Sequence, residues 1–558
     1  MKTLKNWSIL IALGLSFTLV ACGGDDHDNH EAHTDAADAA DAADASDASD
    51  ASDAADAPAY SYKSNIEDFA GESSVSYTGQ VARHLLLNEV TNTIGAMDVN
   101  TTFVAGQVID LLDSYYRFDS DVVTNLPLTT TTTPGAEANL EDISTGKKLQ
   151  DKMAGVDSTG WDVTTFGGWS TPLPTWTRDE AGNLLMGADA APSSPNAMVE
   201  SMFARIEELA LAHTAGNGPQ DPDGNTITTL YVDADGVDYK QMVQKFMGMA
   251  VFFSQGTGDY LYKLTGTLND GDPADNTEAY KKDDAGLPTV GYTAMEHKYD
   301  EGYGYFGAAR HYDRFTDDEI AGKGGREDWQ KYNDADGNGT ISFKSEYNFG
   351  HSQNAAKRDR GTKDNGEAAT DFTADIFDAF VAGRQVIAEA DGELTDGEIA
   401  ALDGHIDTVI KTWEKAIAAT VVHYINDVLA DMAAHGSDDY SFYNHAKHWS
   451  ELKGFALGLQ FNPNSPLHEV LAAYCYNRNG MHAIEADVTE EECLANQTGT
   501  WNPEETAFTR FHRRVGDAPV LASSSDGTSG MGYSMSLTSA RSLLKDAYGF
   551  ADVNVQGW

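Results

Sequence analysis

Apolar residues return every three or four positions along much of the chain, which is the spacing of amphipathic helices. The longest such stretch, 396–434, follows Thr395 and carries Glu398 in its first turn, an N-terminal capping signal. Further helices are predicted at 80–97, 102–116, 197–215, 238–265, 291–310, 370–391, 440–460, 466–477 and 535–548. Because no regular series of alternating strands occurs, the pattern predicts an all-α fold, a multi-helix bundle with long irregular loops.

The first residues form a segment of a different kind. Two lysines precede an apolar run that ends at Leu19-Val20-Ala21-Cys22, the layout of a secretory signal. A Cys after Leu-Val-Ala resembles a bacterial lipobox, so we expect residues 1–21 to be removed and Cys22 to carry acyl chains that anchor the protein to a membrane. By resemblance to Gram-negative lipoproteins, Gly23 favours the outer membrane, on its periplasmic or surface-exposed side. A plain signal peptide with an unrelated Cys is the alternative.

Residues 22–60 repeat Asp-Ala-Ala and Asp-Ala-Ser, with 12 acidic and no basic residues from Gly23 to Tyr60. Such a segment has little apolar surface to bury, so it is predicted to be an acidic tether before a helical body at 61–558. The whole chain of 558 residues has 37 Lys+Arg against 88 Asp+Glu, a formal net charge of −51. This charge argues against nucleic acid as a partner, because phosphate backbones are bound through Lys and Arg.

Cysteine usage agrees with export from the cytoplasm. Apart from Cys22, the chain has Cys475 and Cys493. An even pair in an oxidising compartment predicts one disulfide, and two buried free thiols are the alternative.

Two short motifs place a His and an acid on one helix face. His297 lies three residues before Asp300, which Glu301 follows, and His448 lies three residues before Glu451. Imidazole and carboxylate groups on facing helices can hold one divalent ion inside a bundle. The predicted ligands of an iron or zinc ion are therefore His297, Asp300, Glu301, His448 and Glu451. The alternative is that each motif forms a separate ion pair on its helix.

Each motif also precedes a segment of glycine and aromatic residues, Gly302–Gly307 and Gly454–Ala456. This similarity predicts two related helical halves, 61–325 and 365–558, separated by an insert at 326–364.

The insert contains the sequence Asp334-Ala335-Asp336-Gly337-Asn338-Gly339-Thr340-Ile341-Ser342, which matches the first nine positions of an EF-hand loop. The predicted calcium ligands are Asp334, Asp336, Asn338, Thr340 through its carbonyl, Ser342 and Glu346. Glu346 lies at position 13 instead of 12, so it must reach back into the loop. An Asp/Gly-rich turn without a cation is the alternative. A shorter run, Asp233–Asp238, is predicted to be a turn in which Asp238 caps the next helix.

Several segments together resemble a family of uncharacterised bacterial lipoproteins that carry a domain of unknown function. They are Gln80–Arg83, Lys245–Gly248, Met295–Gly307 and Trp449–Phe455. A more distant similarity is to imelysins, helical iron-regulated proteins of the periplasm or outer membrane with a Gly-x-His-x-x-Glu motif. The complete motif occurs here as Gly480-Met481-His482-Ala483-Ile484-Glu485. The resemblance implies a helical, imelysin-like fold and a setting in iron acquisition.

These observations lead to three expectations about function. The first is an outer-membrane lipoprotein whose helical body binds a divalent metal ion, in iron acquisition. The second is an imelysin-like metallopeptidase, in which Glu301 activates a metal-bound water. The third is a calcium-stabilised envelope scaffold that binds a partner protein. A binding protein is favoured over an enzyme, because the motifs of the common catalytic classes are absent from the sequence.

Overall fold

The structure is a computed structural model that describes residues 58–118, 125–144, 147–156, 166–265, 275–360, 369–471, 474–477, 483–484, 491, 499–502 and 505–558. The predicted signal peptide, Cys22, nearly all of the tether and Cys493 lie outside these residues. The side chain of Cys475 is also outside the description, so the disulfide stays a prediction.

The described residues fold into α-helices joined by long loops, as the hydrophobic pattern predicts. The α-helices are α1 (Thr78–Gly95), α2 (Gln107–Tyr116), α3 (Pro195–Thr214), α4 (Tyr239–Met247), α5 (Ala294–Phe306), α6 (Asp317–Ala321), α7 (Gly350–Asp359), α8 (Phe372–Glu389), α9 (Asp396–Ala434), α10 (Phe442–Gly458), α11 (Ala507–Val515), α12 (Gly530–Tyr548) and α13 (Asp552–Gly557). The all-α prediction is confirmed.

The strands are short and lie in two small antiparallel sheets. Strands β1 (Trp176–Arg178) and β2 (Leu184–Met186) form a hairpin in which Trp176 faces Met186. Strand β3 (Tyr474–Asn477) lies between β4 (Ala483–Ile484) and β5 (Gly499–Asn502). The prediction of a helix at 466–477 is therefore wrong. Only Pro466–His468 forms a 3-10 turn there, and the following residues pair with strands that the local pattern does not reveal.

The long helix α9 is the centre of the bundle. Its start is a capping box, in which Thr395 accepts from Glu398 N and the Glu398 carboxylate accepts from Thr395 N. Helices α7, α8, α10 and α12 all pack against it. Trp413, halfway along α9, is fully buried and meets Phe253 and Phe306 edge to face. Its indole Nε1 donates to His351 Nδ1 on α7 over 2.5 Å.

The predicted helix at 238–265 forms, but only its first part is α-helical. Asp238 caps α4 by accepting from Gln241 N, as predicted. The chain then continues as π-helix through Gly248–Phe253 and Gly256–Leu261. Gly256 lies where a Cβ atom would come within 2.7 Å of Trp413 Cη2, so a glycine lets this segment approach α9.

A single apolar cluster runs from Tyr60 to Trp558 and contains residues of both predicted halves. The predicted insert at 326–364 includes α7, which packs against α9. Whether the two halves are related stays a prediction. Within the described residues, none of the helices combines the length and the apolar character that crossing a membrane requires.

Glycines in α5 allow it to pack closely, which generates a stability prediction. A Cβ at Gly304 would lie 2.6 Å from the Tyr77 Cβ, whereas Gly404, exposed on α9, has nothing within 4 Å of that position. We expect Gly304→Ala to lower the free energy of unfolding by about 1–3 kcal/mol through overpacking. Gly404→Ala should raise it by roughly 0.5–1 kcal/mol through helix propensity. Urea unfolding measures the free energy of unfolding of both variants. Equal changes in the two variants would contradict the prediction.

Candidate functional site

The carboxylate of Asp300 on α5 is fully buried and surrounded by donors. Its Oδ1 accepts from the Tyr60 hydroxyl over 2.8 Å and from Arg384 Nε over 2.9 Å. Its Oδ2 accepts from Ser76 N over 3.0 Å. A predicted metal ligand is therefore paired with an arginine of α8 and with two groups that precede α1.

Arg384 is itself fully buried and joins three parts of the chain. Its Nη2 donates to Glu296 Oε1 over 2.9 Å and to Ser74 Oγ over 2.8 Å. Burial alone would lower the pKa of Arg384, but Asp300 and Glu296 hold this pKa above its ordinary value. We call Arg384, Asp300, Glu296, Tyr60 and Ser74 the Arg384 clamp. It fixes the segment before α1 to α5 and α8.

The other residues of the first motif also have protein partners. His297 Nδ1 lies 3.1 Å from Ser76 O, and its Nε2 lies 3.8 Å from Glu301 Oε2. Glu301 Oε1 accepts from Gln80 Nε2 over 2.8 Å. The imidazole also contacts the rings of Tyr280 and Tyr292, each with its centroid at 4.9 Å from that of His297.

The second motif is paired with different elements. His448 Nδ1 lies 2.8 Å from Asp431 Oδ2 on α9. Glu451 is buried and forms an ion pair with Lys245 of α4 at 3.1 Å. Burial alone would raise the pKa of Glu451, but Lys245 and Lys447 hold it below its ordinary value. Asp300, His448 and Glu451 thus pair with residues of other helices. His297 and Glu301 face each other on α5.

Among the described residues, the five predicted iron or zinc ligands do not form a group of three whose ligand atoms lie within 4.8 Å of one another. Asp334, Asp336 and Glu346 do form such a group. The expected convergence of His297, Asp300, Glu301, His448 and Glu451 is therefore not what the structure presents, because neighbouring cations and backbone groups hold the two motifs separately.

The predicted calcium loop has the Asp334 carboxylate at its centre. Asp334 Oδ2 accepts from Gly339 N over 2.9 Å, five residues later. Asp334 Oδ1 is buried and has no hydrogen-bond partner within the described part of the chain. Gly337 and Gly339 have φ of +69° and +86°, conformations that glycine adopts without strain. The Asp334 Oδ1 atom is thus an acceptor in a tight loop without a donor among the described residues.

Glu346 reaches back into the loop despite its late position. Its Oε1 accepts from Ala335 N over 2.8 Å and its Oε2 from Ser342 N over 2.8 Å. The extra residue is accommodated by a turn in which Glu346 N donates to Ser342 O over 2.9 Å. Burial raises the pKa of Glu346, and the charge of Asp336 adds to this rise. A bound divalent cation would stabilise the charged form of Glu346 against both burial and the repulsion by Asp336.

The remaining predicted ligands have local roles in the loop. Asn338 Oδ1 accepts from the backbone and hydroxyl of Thr340. The Ser342 hydroxyl donates over 2.7 Å to Glu137, a buried acid that no motif in the sequence indicates. The loop is flanked by an antiparallel bridge between Tyr332 and Tyr347 in place of the two helices of an EF-hand. The similarity is therefore confined to the loop.

Four other Asp/Gly turns provide an internal comparison. In each, the first Asp Oδ1 accepts from the N–H groups two and four residues later, and the glycine after three residues has a positive φ. These turns begin at Asp179, Asp221, Asp233 and Asp283. Their Oδ1 atoms are thus used by the backbone. The Asp334 loop differs, because its Oδ1 atom has no such partner and two further acids converge on it.

The protein is therefore an all-α protein with one acidic oxygen-ligand loop among its described residues. Residues 195–474, half of the chain, match the family described as domain of unknown function (DUF4856), and the chain belongs to this family. The match includes both His-acid motifs and the Asp334 loop. No curated protein and no solved structure matches the chain. The distant similarity to imelysins stays a prediction.

The Arg384 clamp generates a prediction about stability. Arg384→Met leaves Asp300 and Glu296 buried without a counter-charge, which should lower the free energy of unfolding by about 3–5 kcal/mol. Lys411→Met is the matched control, since it breaks an ion pair whose side chains are 73% and 51% exposed, and it should cost at most about 0.5 kcal/mol. Urea denaturation measures both values. Similar small losses in the two variants would contradict the prediction.

His448 generates a prediction about pH. Burial alone would lower its pKa, but the hydrogen bond and charge of Asp431 raise it above the ordinary value. The charged form therefore stabilises the fold below a pH of about 6.5, and this contribution is lost as the pH rises through the folded pKa.

Asp431→Asn should consequently lower the free energy of unfolding more at pH 6 than at pH 8.5, as measured in urea. Asp407→Asn is the control, because Asp407 pairs with a lysine, which does not titrate in this range. An Asp431→Asn loss that does not change with pH would contradict the assignment.

Proposed function

We propose that the protein is a calcium-stabilised scaffold of the cell envelope, anchored to a membrane by lipid at Cys22. The proposal rests on Asp334, Asp336 and Glu346 of the loop, whose ligand atoms lie within 4.8 Å of one another. Carboxylate and carbonyl oxygens are the ligands that calcium prefers. No lysine or arginine of the described residues pairs with these three acids, so a bound cation would supply the missing positive charge.

The position of the loop supports a structural role for the ion. Ile341 N donates to Pro134 O over 2.8 Å, and Ala136 N donates back to Ile341 O over 3.0 Å. After the loop, Ser345 O accepts from Arg310 N over 2.8 Å. Calcium at this place would fix the loop that connects the segment around Gly135 to the end of α5.

The anchoring part of the proposal rests on the Leu19-Val20-Ala21-Cys22 sequence. An acidic tether after the lipid would hold the body away from a membrane surface that carries anionic lipids. The two His-acid motifs give less support to iron acquisition or peptidase activity, because their side chains already form ion pairs and hydrogen bonds within the protein.

Calcium titration of the thermal unfolding temperature tests the proposal. Calcium added to chelator-treated protein should raise this temperature, and at 100 times its dissociation constant it should stabilise the fold by about 2.7 kcal/mol. Asp334→Asn keeps the acceptor for Gly339 N but removes the charge, so it should abolish most of the rise.

Asp283→Asn is the matched control. Asp283 begins a turn of similar sequence, but its Oδ1 is already used by the backbone. This variant should respond to calcium as the wild type does. An unfolding temperature that is insensitive to calcium and chelator, or equal responses from all three proteins, would refute the proposal.

A further inference from the structure

The hairpin of β1 and β2 has one covered edge and one open edge. Trp176 Nε1 on β1 donates to Glu200 O on α3 over 3.0 Å, so β1 lies against that helix. Among the described strands, β2 has β1 as its one neighbour. Residues 185–190 are all exposed. The outer edge of β2 therefore faces solvent.

The register of the hairpin shows which backbone groups lie on this edge. Gly187 N, just after β2, donates to Thr175 O over 2.7 Å. In an antiparallel pair, hydrogen-bonded residues alternate with residues whose N–H and C=O groups point away from the partner strand. Leu184 and Met186 fall at the alternate positions of this register. Their four backbone groups therefore point outward, where a third strand could pair with them.

The side chains of β2 are apolar although its edge is open. The strand has the sequence Leu184-Leu185-Met186, and Leu185 and Met186 are 50% and 49% exposed. Proteins usually protect an open edge with charged side chains, proline or a covering element. The strand β2 itself contains neither a charge nor a proline. An exposed apolar edge of this kind can pair with a strand from another chain.

The start of α2 adds further apolar side chains beside β2. Leu184 Cδ2 lies 3.7 Å from the position that a Cβ on Gly106 would occupy, and Gly106 is the N-cap of α2. Val104, two residues before Gly106, is 63% exposed, and Leu111 of α2 is 45% exposed. Exposed apolar residues that gather in one region indicate an interaction site, whereas single ones need no explanation.

The charges in this region are mainly negative. Arg178 of β1 pairs with Asp110 of α2 over 2.6 Å, and Arg117 pairs with Glu200. Four further acids lie on α2 and on the hairpin, namely Asp113, Asp179, Glu180 and Asp189. Six acids are thus present with two arginines. This excess of negative charge favours a cationic partner.

The same charge selects among the candidate occupants of the edge. A second copy of the chain would bring an equal excess of negative charge to a two-fold interface, where like charges repel. A membrane surface that carries anionic lipids is disfavoured for the same reason. An extended protein segment with apolar side chains and flanking lysine or arginine residues complements both the strand and the charge.

We propose that the outer edge of β2 is a docking site for an extended, cationic segment of a partner protein. The segment pairs as a third strand with Leu184 and Met186 and places apolar side chains beside Leu185. In such strand addition, main-chain hydrogen bonds give affinity and side-chain contacts give specificity. The inference rests on the scaffold function proposed above, because it names the kind of partner that the scaffold holds.

Fluorescence anisotropy of a labelled peptide mixed with the full chain tests the proposal. The probe is Lys-Lys-Thr-Val-Thr-Val-Thr-Lys-Lys, which alternates as a strand does and is basic at both ends. Wild type should bind it with a dissociation constant of about 100 µM or tighter, with calcium or with chelator. A peptide with Glu in place of each Lys should bind about tenfold more weakly or less.

Two variants change the edge itself. Met186→Pro removes an N–H that faces solvent, a position at which an edge strand tolerates proline. Leu185→Lys adds a positive charge where the apolar side chains of the probe would lie. Each should weaken binding about tenfold or more, since each loses main-chain pairing or apolar contact. Met186→Ala keeps the N–H and should bind more tightly than Met186→Pro.

Leu287→Lys is the matched control for Leu185→Lys. Leu287 is 59% exposed and lies at the end of the Asp/Gly turn that begins at Asp283. This variant should bind the probe as the wild type does. Circular dichroism and the unfolding temperature identify a variant that fails to fold, and Leu185→Lys, a change at an exposed side chain, then decides the result.

No binding of the probe to wild type at about 1 mM, or equal binding by wild type, Met186→Pro and Leu185→Lys, would overturn the proposal. Binding of anionic vesicles, or self-association, that Leu185→Lys abolishes while the peptide does not bind would also overturn it. The calcium titration is a separate readout. A protein that binds the probe without a response to calcium keeps the docking site and loses the calcium loop, and the reverse result removes the docking site alone.

Discussion

The buried guanidinium of Arg384 is the interaction on which this arrangement of helices depends. A fully buried cation is tolerated only when anions and acceptors surround it, and Asp300, Glu296 and Ser74 do so here. The three groups come from the segment before α1 and from α5, so their pairing with α8 fixes the N-terminal part of the body to the bundle. The same pairing holds Asp300, the acid of the first His-acid motif, against a cation of another helix.

Charge compensation also separates the acids that bind protein groups from those that can bind an ion. Asp300 and Glu451 each face a cation of another helix. Asp334, Asp336 and Glu346 converge without one, and Asp334 Oδ1 has no partner within the described residues. At the Asp334 loop the local imbalance of charge, not the total charge of the protein, indicates the chemistry of the ligand.

Much of the secondary structure could be predicted from the sequence, because long periodic stretches carry the strongest signal. The bounds of α9 agree with the prediction at 396–434, and its Thr395 cap is present. The failure at 466–477 occurs where pairing with distant strands overrides a short local pattern. Helix α11 was not predicted, since its nine residues give too few turns for a clear period.

The sequence by itself determined most of the long helices and the three acids of the Asp334 loop. Both depend on residues that lie close in the chain, because a helical turn spans three or four positions and the longest hydrogen bond of the Glu346 carboxylate in the loop spans 11. Only the tertiary structure decided the partners of the His-acid motifs, because Arg384 lies 84 residues from Asp300 and Tyr60 lies 240 residues from it.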